Sequence, residues 1–352
     1  MIEPSYYNKA TALADFVCRS WDPKMKWMWG EALLGFALAR LDDFQGTHKY
    51  QAFLQAYCDY YVAHPPRMDQ SDTIAPALIT YAMQKKTGNT AYKALTDRAL
   101  HYIINEPRLI GDSVNHLGNS LEGKLYPKSI WVDSLMMFSV FPSLYAREQN
   151  KPDLMDIAAR QPRTMAKYLM DNDDKLWYHA YWVRQQTHYP RSKIFWGRGN
   201  GWVIASLPMI LENIGDHPER DEIITMFYQT SAALLPLQRE DGCFETVLNK
   251  PGKTYRELSA TALIASGWLQ GCRMGFLDEK YRAAGKRAFE AVCSALVETN
   301  GGISMPEVSA PTIPLPLFPY LGYKYVPLGS DWSYGIAALI FAAIEYRRLE
   351  GE

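Results

Sequence analysis

The chain has 352 residues, with 37 Lys plus Arg against 38 Asp plus Glu and a net charge of −1. That balance excludes a basic field for nucleic acid and an acidic disordered tail. An apolar share of 48% against 21% charged is ordinary for a globular core and too rich for disorder. Aromatic residues reach 13%, including 10 Trp and 23 Tyr. Most should be core, but flat faces also stack on sugars or bases. Cys18, Cys58, Cys243, Cys272 and Cys293 are scattered, odd in number and without CxxC, so neither a disulfide framework nor a zinc site is expected. The N-terminal residues lack a basic region followed by an apolar one, and the uncharged run Leu258–Cys272 is short of the ~20 residues of a membrane span. These signs predict a cytoplasmic protein with no membrane and no nucleic-acid partner.

Taken in chain order, amphipathic helices are predicted near 5–20, 48–64, 91–105, 152–171, 219–238 and 278–298. Between them lie stretches apolar all round, near 29–46, 72–88, 131–149, 200–215, 258–273 and 331–348. A helix apolar on every face must be buried on every face. Six exposed-then-buried hairpins predict an all-α (α/α)6 barrel, a ring of inner helices inside a ring of outer ones, as one domain over 1–352. Pro142 and Pro162 fall inside predicted helices and should kink or stop them. The proline-rich run 306–329 cannot be a regular helix and should lie over the rim as a lid or a partner surface.

If the hairpins alternate in direction, all inner helices start at one end. Those starts read Lys26–Trp29, Ser71–Thr73, Trp131–Ser134, Trp196–Trp202, Tyr255–Ser259 and Asp331–Tyr334, each polar, aromatic or both. Six such clusters describe a lined cleft whose helix dipoles favour an anion. Trp196–Trp202, WGRGNGW, is the most specific string. Its glycines let the backbone turn sharply or approach a ligand closely, and Arg198 suits a carboxylate clamp; the alternative is a Gly-rich turn capped by core Trp. Asp133 stands at an apolar helix start as an N-cap or as a proton donor whose pKa burial would raise. Asp72 is a strong cap candidate as well. His179 sits among aromatics, where packing is the commoner role. Glu257 is a cap or a site member. No HxH or HExxH occurs, so no metal is expected.

WxDSLMM at 131–137, LWYHAY at 176–181, WGRGNGW at 196–202, ExSATA at 257–262 and YGIAALIFAAIEY at 334–346 resemble the unsaturated rhamnogalacturonyl hydrolases, glycoside hydrolase family 105, with the unsaturated glucuronyl hydrolases of family 88 as cousins. The resemblance covers nearly the whole chain. It implies an (α/α)6 barrel without cofactor that releases a 4,5-unsaturated uronate from small oligosaccharides made by polysaccharide lyases. It places the general acid/base on Asp133 and a second carboxylate on Asp72. Substrate contacts fall on His179, Trp196, Arg198 and Trp202, and Trp29 and Trp131 join them at the rim. The expected chemistry hydrates the C4=C5 vinyl ether, with Asp133 held protonated by apolar walls and by the like charge of Asp72. Trp182 after Tyr181 and the turn Asp331–Gly335 depart from the family pattern. A glucuronyl hydrolase acting on glycosaminoglycan disaccharides is the nearest alternative. An epimerase on the same toroid would call for a pair of rim histidines, and His179 stands alone in the sequence pattern.

Overall fold

The computed structural model describes residues 5–351. The outer ring runs α1 (Tyr6–Ser20), α3 (Gln51–Ala63), α6 (Thr90–Asn105), α9 (Pro152–Ala159) with α10 (Gln161–Leu169), α12 (Arg220–Leu234) and α14 (Glu279–Ala295). The inner ring runs α2 (Trp29–Gln45), α4 (Ser71–Ile74) with α5 (Ala77–Thr87), a π-turn (Leu135–Ser139) with α8 (Val140–Gln149), α11 (Gly197–Leu211), α13 (Leu258–Arg273) and α16 (Ser333–Glu350). Both sets match the predicted alternation.

Inner neighbours pack in order around the ring, and α16 packs against α2 to close it. The inner helices are apolar on all faces because all faces are covered: every residue of α11 is buried. Amphipathic α14 turns Tyr281, Ala284, Ala288 and Val292 inward. The fold is an (α/α)6 barrel, and among the described residues no helix is long and apolar enough to cross a membrane.

The prolines act as expected, each in its own way. Pro162 starts α10 after a break at Arg160. Pro142 lies in the first turn of α8, so the N–H it lacks belongs to the register change from the π-turn. Pro76 splits α4 from α5.

Short strands interrupt the loops at the helix starts. β1 (Arg108–Ile110) pairs with β2 (Ser113–Val114), and β6 (Val297–Thr299) with β7 (Gly302–Ser304). β3 (Ser129–Trp131), β4 (Ala180–Trp182) and β5 (Thr187–Tyr189) form one antiparallel sheet. The proline-rich run is a strap. Its ends, β8 (Val308–Ser309) and β9 (Leu328–Gly329), pair with each other. It carries a short helix, α15 (Pro319–Lys324), which the proline content argued against; Pro319 stands in its first turn, where no N–H is missed. Helix α7 (Leu121–Leu125) lies beside the strap, where the Tyr126 hydroxyl donates to the Pro314 carbonyl.

Close packing of α13 on α11 depends on Gly267, where a Cβ would fall well inside contact with the backbone carbonyl of Ile204. Gly267→Ala should therefore lower stability by about 1–3 kcal/mol through overpacking, read as a drop in Tm.

Candidate active site

Asp133 lies two residues past the end of β3, and His179 immediately precedes β4. The antiparallel register pairs Trp131 with Ala180, and the next ladder bond runs from Val132 N–H to the His179 carbonyl at 2.9 Å. This brings Asp133 Oδ2 to 3.3 Å from His179 Nε2, without the alignment of a full hydrogen bond. Asn200 fixes the histidine segment from α11: its Oδ1 accepts from Trp177 N–H at 2.8 Å and its Nδ2 donates to the Trp177 carbonyl at 3.0 Å. On the other ring nitrogen, His179 Nδ1 shares a 2.8 Å hydrogen bond with the Tyr323 hydroxyl of the strap.

Asp72 lies in the first turn of α4, so it is not the helix cap. Gln70 and Thr73 form that cap as a capping box. Asp72 Oδ1 lies 3.4 Å from the Nε2 of His116, a residue the sequence patterns did not single out. The His116 backbone bridges the two carboxylate segments, donating to Ser129 O and accepting from Ser71 N–H. Its Nδ1 lies 2.8 Å from Ser134 Oγ, and its ring stacks on Trp131 at 4.4 Å. Trp131 meets His179 edge-on at 5.5 Å. The site is thus two Asp–His pairs on either side of one indole. The expectation that His179 stood alone is corrected.

The protonation pattern also differs from expectation. Burial raises Asp72 to about 8, with the charges of Asp133 and Glu122 adding to it. Burial works against Asp133 as well, but the His179 and His116 imidazoles outweigh it and the net shift is downward. Burial holds His116 down at about 4 and lowers His179 despite the charge of Asp133. The free protein therefore keeps its proton on Asp72. The like charge that was to raise Asp133 raises Asp72 instead, because both imidazoles favour the Asp133 carboxylate while Asp72 faces burial and two like charges.

Arg198 is in place but is not a free clamp. It is 1% exposed and donates to Ser309 O and Ala310 O, both at 2.9 Å, and to Ser309 Oγ. Its guanidinium lies over Trp196 at 4.6 Å and Tyr334 at 4.9 Å, with Glu257 at 3.7 Å. It latches the strap to the start of α11. Glu257 caps α13 by accepting from Ala260 N–H and also accepts from Ser309 N–H. The WGRGNGW glycines serve packing: a Cβ on Gly199 would meet the Trp196 ring at 2.8 Å, and one on Gly201 would meet Leu263 at 3.0 Å.

The tryptophans sort by exposure. Trp131 and Trp202 are buried, and Trp196 is sandwiched by His179 at 4.2 Å and Tyr323 at 5.9 Å. None of these three presents an open face to a sugar. Trp29 is half-buried and stacks on Tyr334 at 4.6 Å, and half-buried Trp332 flanks the same tyrosine at 5.9 Å. Where α2 and α16 begin, Trp29 and Trp332 both stack on buried Tyr334 and are themselves partly exposed. The starts of α2, α11 and α16 have no side-chain cap, which leaves backbone N–H groups and positive dipole ends at this end of the barrel.

The Glycosyl Hydrolase Family 88 profile matches residues 7–350. The chain belongs to glycosyl hydrolase family 88. This family 88 hydrolase is 28% identical over 344 residues to the unsaturated rhamnogalacturonyl hydrolase YesR of Bacillus subtilis (strain 168), covering 96% of this chain and 95% of that one. Among solved structures, a family 105 glycoside hydrolase from C. acetobutylicum ATCC 824 superposes with a TM-score of 0.85 at 23% identity, over 96% of this chain and 99% of that one. The unsaturated glucuronyl hydrolase of Bacillus sp. GL1 does so with a TM-score of 0.75 at 15% identity, over 98% and 96%.

A buried carboxyl raised to about 8 keeps a proton that the unfolded chain gives up near 4. Its burial therefore costs stability progressively as pH rises from about 4 to 8. Asp72→Asn should remove that cost. Its Tm should exceed the parent's at pH 8, the two should converge near pH 4, and the gap should correspond to about 2–5 kcal/mol.

Proposed function

We propose that this family 88 hydrolase removes a 4,5-unsaturated uronate from the non-reducing end of small oligosaccharides by hydrating its vinyl ether, with the rhamnogalacturonan-derived class as substrate. The observation that carries the reading is the carboxylate pair with opposed proton affinities, Asp72 up and Asp133 down, each beside one imidazole. Such a pair supplies one acid and one base at neutral pH. The names of its relatives, which act on unsaturated rhamnogalacturonyl and glucuronyl substrates, support the same reading. In this reading residues 1–352 form one catalytic domain, and its small, already cut substrate suits a cytoplasmic location.

The uronate ring would lie against the partly exposed Trp29 and Trp332, its carboxylate toward the uncapped starts of α2, α11 and α16. An anionic substrate entering beside Asp133 raises its proton affinity, and Asp72 is the reservoir from which that proton comes. Asp133 protonates C4, and positive charge develops at C5 and the ring oxygen. Water attacks C5 while the carboxylate takes its proton. The C5 hemiketal then opens to a ketone, leaving a hemiacetal at C1 that expels the aglycone alcohol. The net change is addition of one water. His179 and His116 orient the two carboxylates, and Arg198 acts through the strap it holds.

Turnover in D2O should place deuterium at C4 of the released sugar, followed by NMR; direct cleavage at C1 would leave C4 unlabelled. Asp133→Asn should bind substrate yet lose at least the ~10²–10⁴-fold typical of general acid–base catalysis. Activity should fall above about 8 as Asp72 loses the proton it supplies to Asp133. Replacing Asp72 with Asn should abolish the alkaline limb along with most of the turnover. A flat profile between pH 6 and 9 would remove Asp72 from the mechanism.

A further inference from the structure

The opposite end of the barrel carries a cavity of about 300 Å³, at the lower end of the range for small-molecule sites. It is lined by α2, α5, α8, α11 and α16, with Leu78 and Val140 reaching it from the first turns of α5 and α8 and the charged residues lying toward the helix ends. The floor is apolar, with Phe36, Leu78, Ala82, Val140, Leu144 and Met209. The rim holds four cations, Arg40, Lys85, Arg147 and Arg348, against three carboxylates, Asp43, Glu148 and Glu212.

Each of the three carboxylates already has partners. Asp43 pairs with Lys86 at 2.8 Å. Glu148 accepts from Lys85 Nζ at 2.9 Å and from the Tyr81 hydroxyl at 2.8 Å. Glu212 accepts from Arg273 at 2.8 Å and from Gln270 at 3.2 Å. Glu345, behind the rim, takes Arg273 at 2.5 Å and Arg348 at 2.7 Å. Arg40 is the exception. Its side chain is 19% exposed, its nearest carboxylate oxygens stand at 3.7 and 3.8 Å, and among the described residues its guanidinium donates no hydrogen bond.

Helix C-termini attract cations, and a cation there ordinarily spends its donors on the last carbonyls. Arg147 does so, donating to the Glu212 carbonyl at 3.3 Å. Arg40 does not, so dipole compensation leaves its planar fork unspent beside an apolar floor. A half-buried guanidinium whose donors meet no protein acceptor leaves room for one, and a planar fork matches a carboxylate in two-point contact.

We propose that this cavity is a second binding site, for a small organic carboxylate with an apolar body, with Arg40 as its anchor. The site is separate from the cleft and does not rest on the reaction assigned there.

Titration calorimetry with hexanoate on the full chain tests it, with hexan-1-ol and inorganic phosphate as the paired controls. Saturable binding of hexanoate is expected, weakened at least tenfold by Arg40→Gln, with neither control binding comparably. Ala82→Phe, which fills the floor and leaves Arg40 in place, should also abolish binding and covers the case in which Arg40→Gln fails to fold. Asp133→Asn, in the cleft at the other end, should leave the affinity within twofold. Absence of saturable binding overturns the proposal, as does an affinity indifferent to Arg40→Gln or to Ala82→Phe. Equal binding of hexan-1-ol removes the anchor, equal binding of phosphate removes the apolar body, and a change with Asp133→Asn places the probe in the cleft.

Discussion

Two carboxylates stand inside a wall of apolar helices, and the cost of holding both charges there governs this end of the molecule. Taking a carboxylate out of water is expensive unless a partner or a proton compensates. Asp133 has His179 at 3.3 Å, whereas Asp72 has His116 at 3.4 Å but also the charges of Asp133 and Glu122. The asymmetry decides where the proton stays. Both imidazoles are buried and reluctant to charge, so neither cancels its carboxylate outright. The site keeps an internal proton because its surroundings cannot neutralise two anions.

That balance depends on placement, and the placement comes from the backbone. Three short strands set the register that joins Asp133 to His179, and the His116 loop ties Asp72 to the same sheet. Asn200 of α11 then holds the backbone at Trp177, while Tyr323 of the strap and Ser134, just before the π-turn, hold the His179 and His116 rings. Because these contacts come from different parts of the ring, the carboxylates sit on rigid elements and are not carried on mobile loops.

The barrel was legible in the sequence because the hydrophobic pattern is a direct consequence of burial. Inner helices are apolar all round, outer helices on one face, and the alternation itself states the double ring. The two aspartates and His179 were legible as motif residues. What escaped was set by contacts far apart in the chain. His116 lies in GDSVNHLGNS, a loop with no periodicity, and gains its place through Ser71 and Ser129. The strands β3 to β5 are too short to leave an alternating signature. Arg198 read as a clamp because its neighbours are glycines, yet its partners are carbonyls more than a hundred residues away. Trp332 was visible at the rim, but its pairing with Trp29 through Tyr334 depends on how α16 meets α2.

The closure of α16 on α2 has a consequence for how the protein comes into being. α2 has no partner across the seam until α16 has emerged from the ribosome. Trp29 is made long before Tyr334, the ring it stacks on. A nascent chain can bury its early hairpins against one another, but it has no seam to shut. The ring therefore shuts only once α16 meets α2, which ties the seam to two segments far apart in the chain.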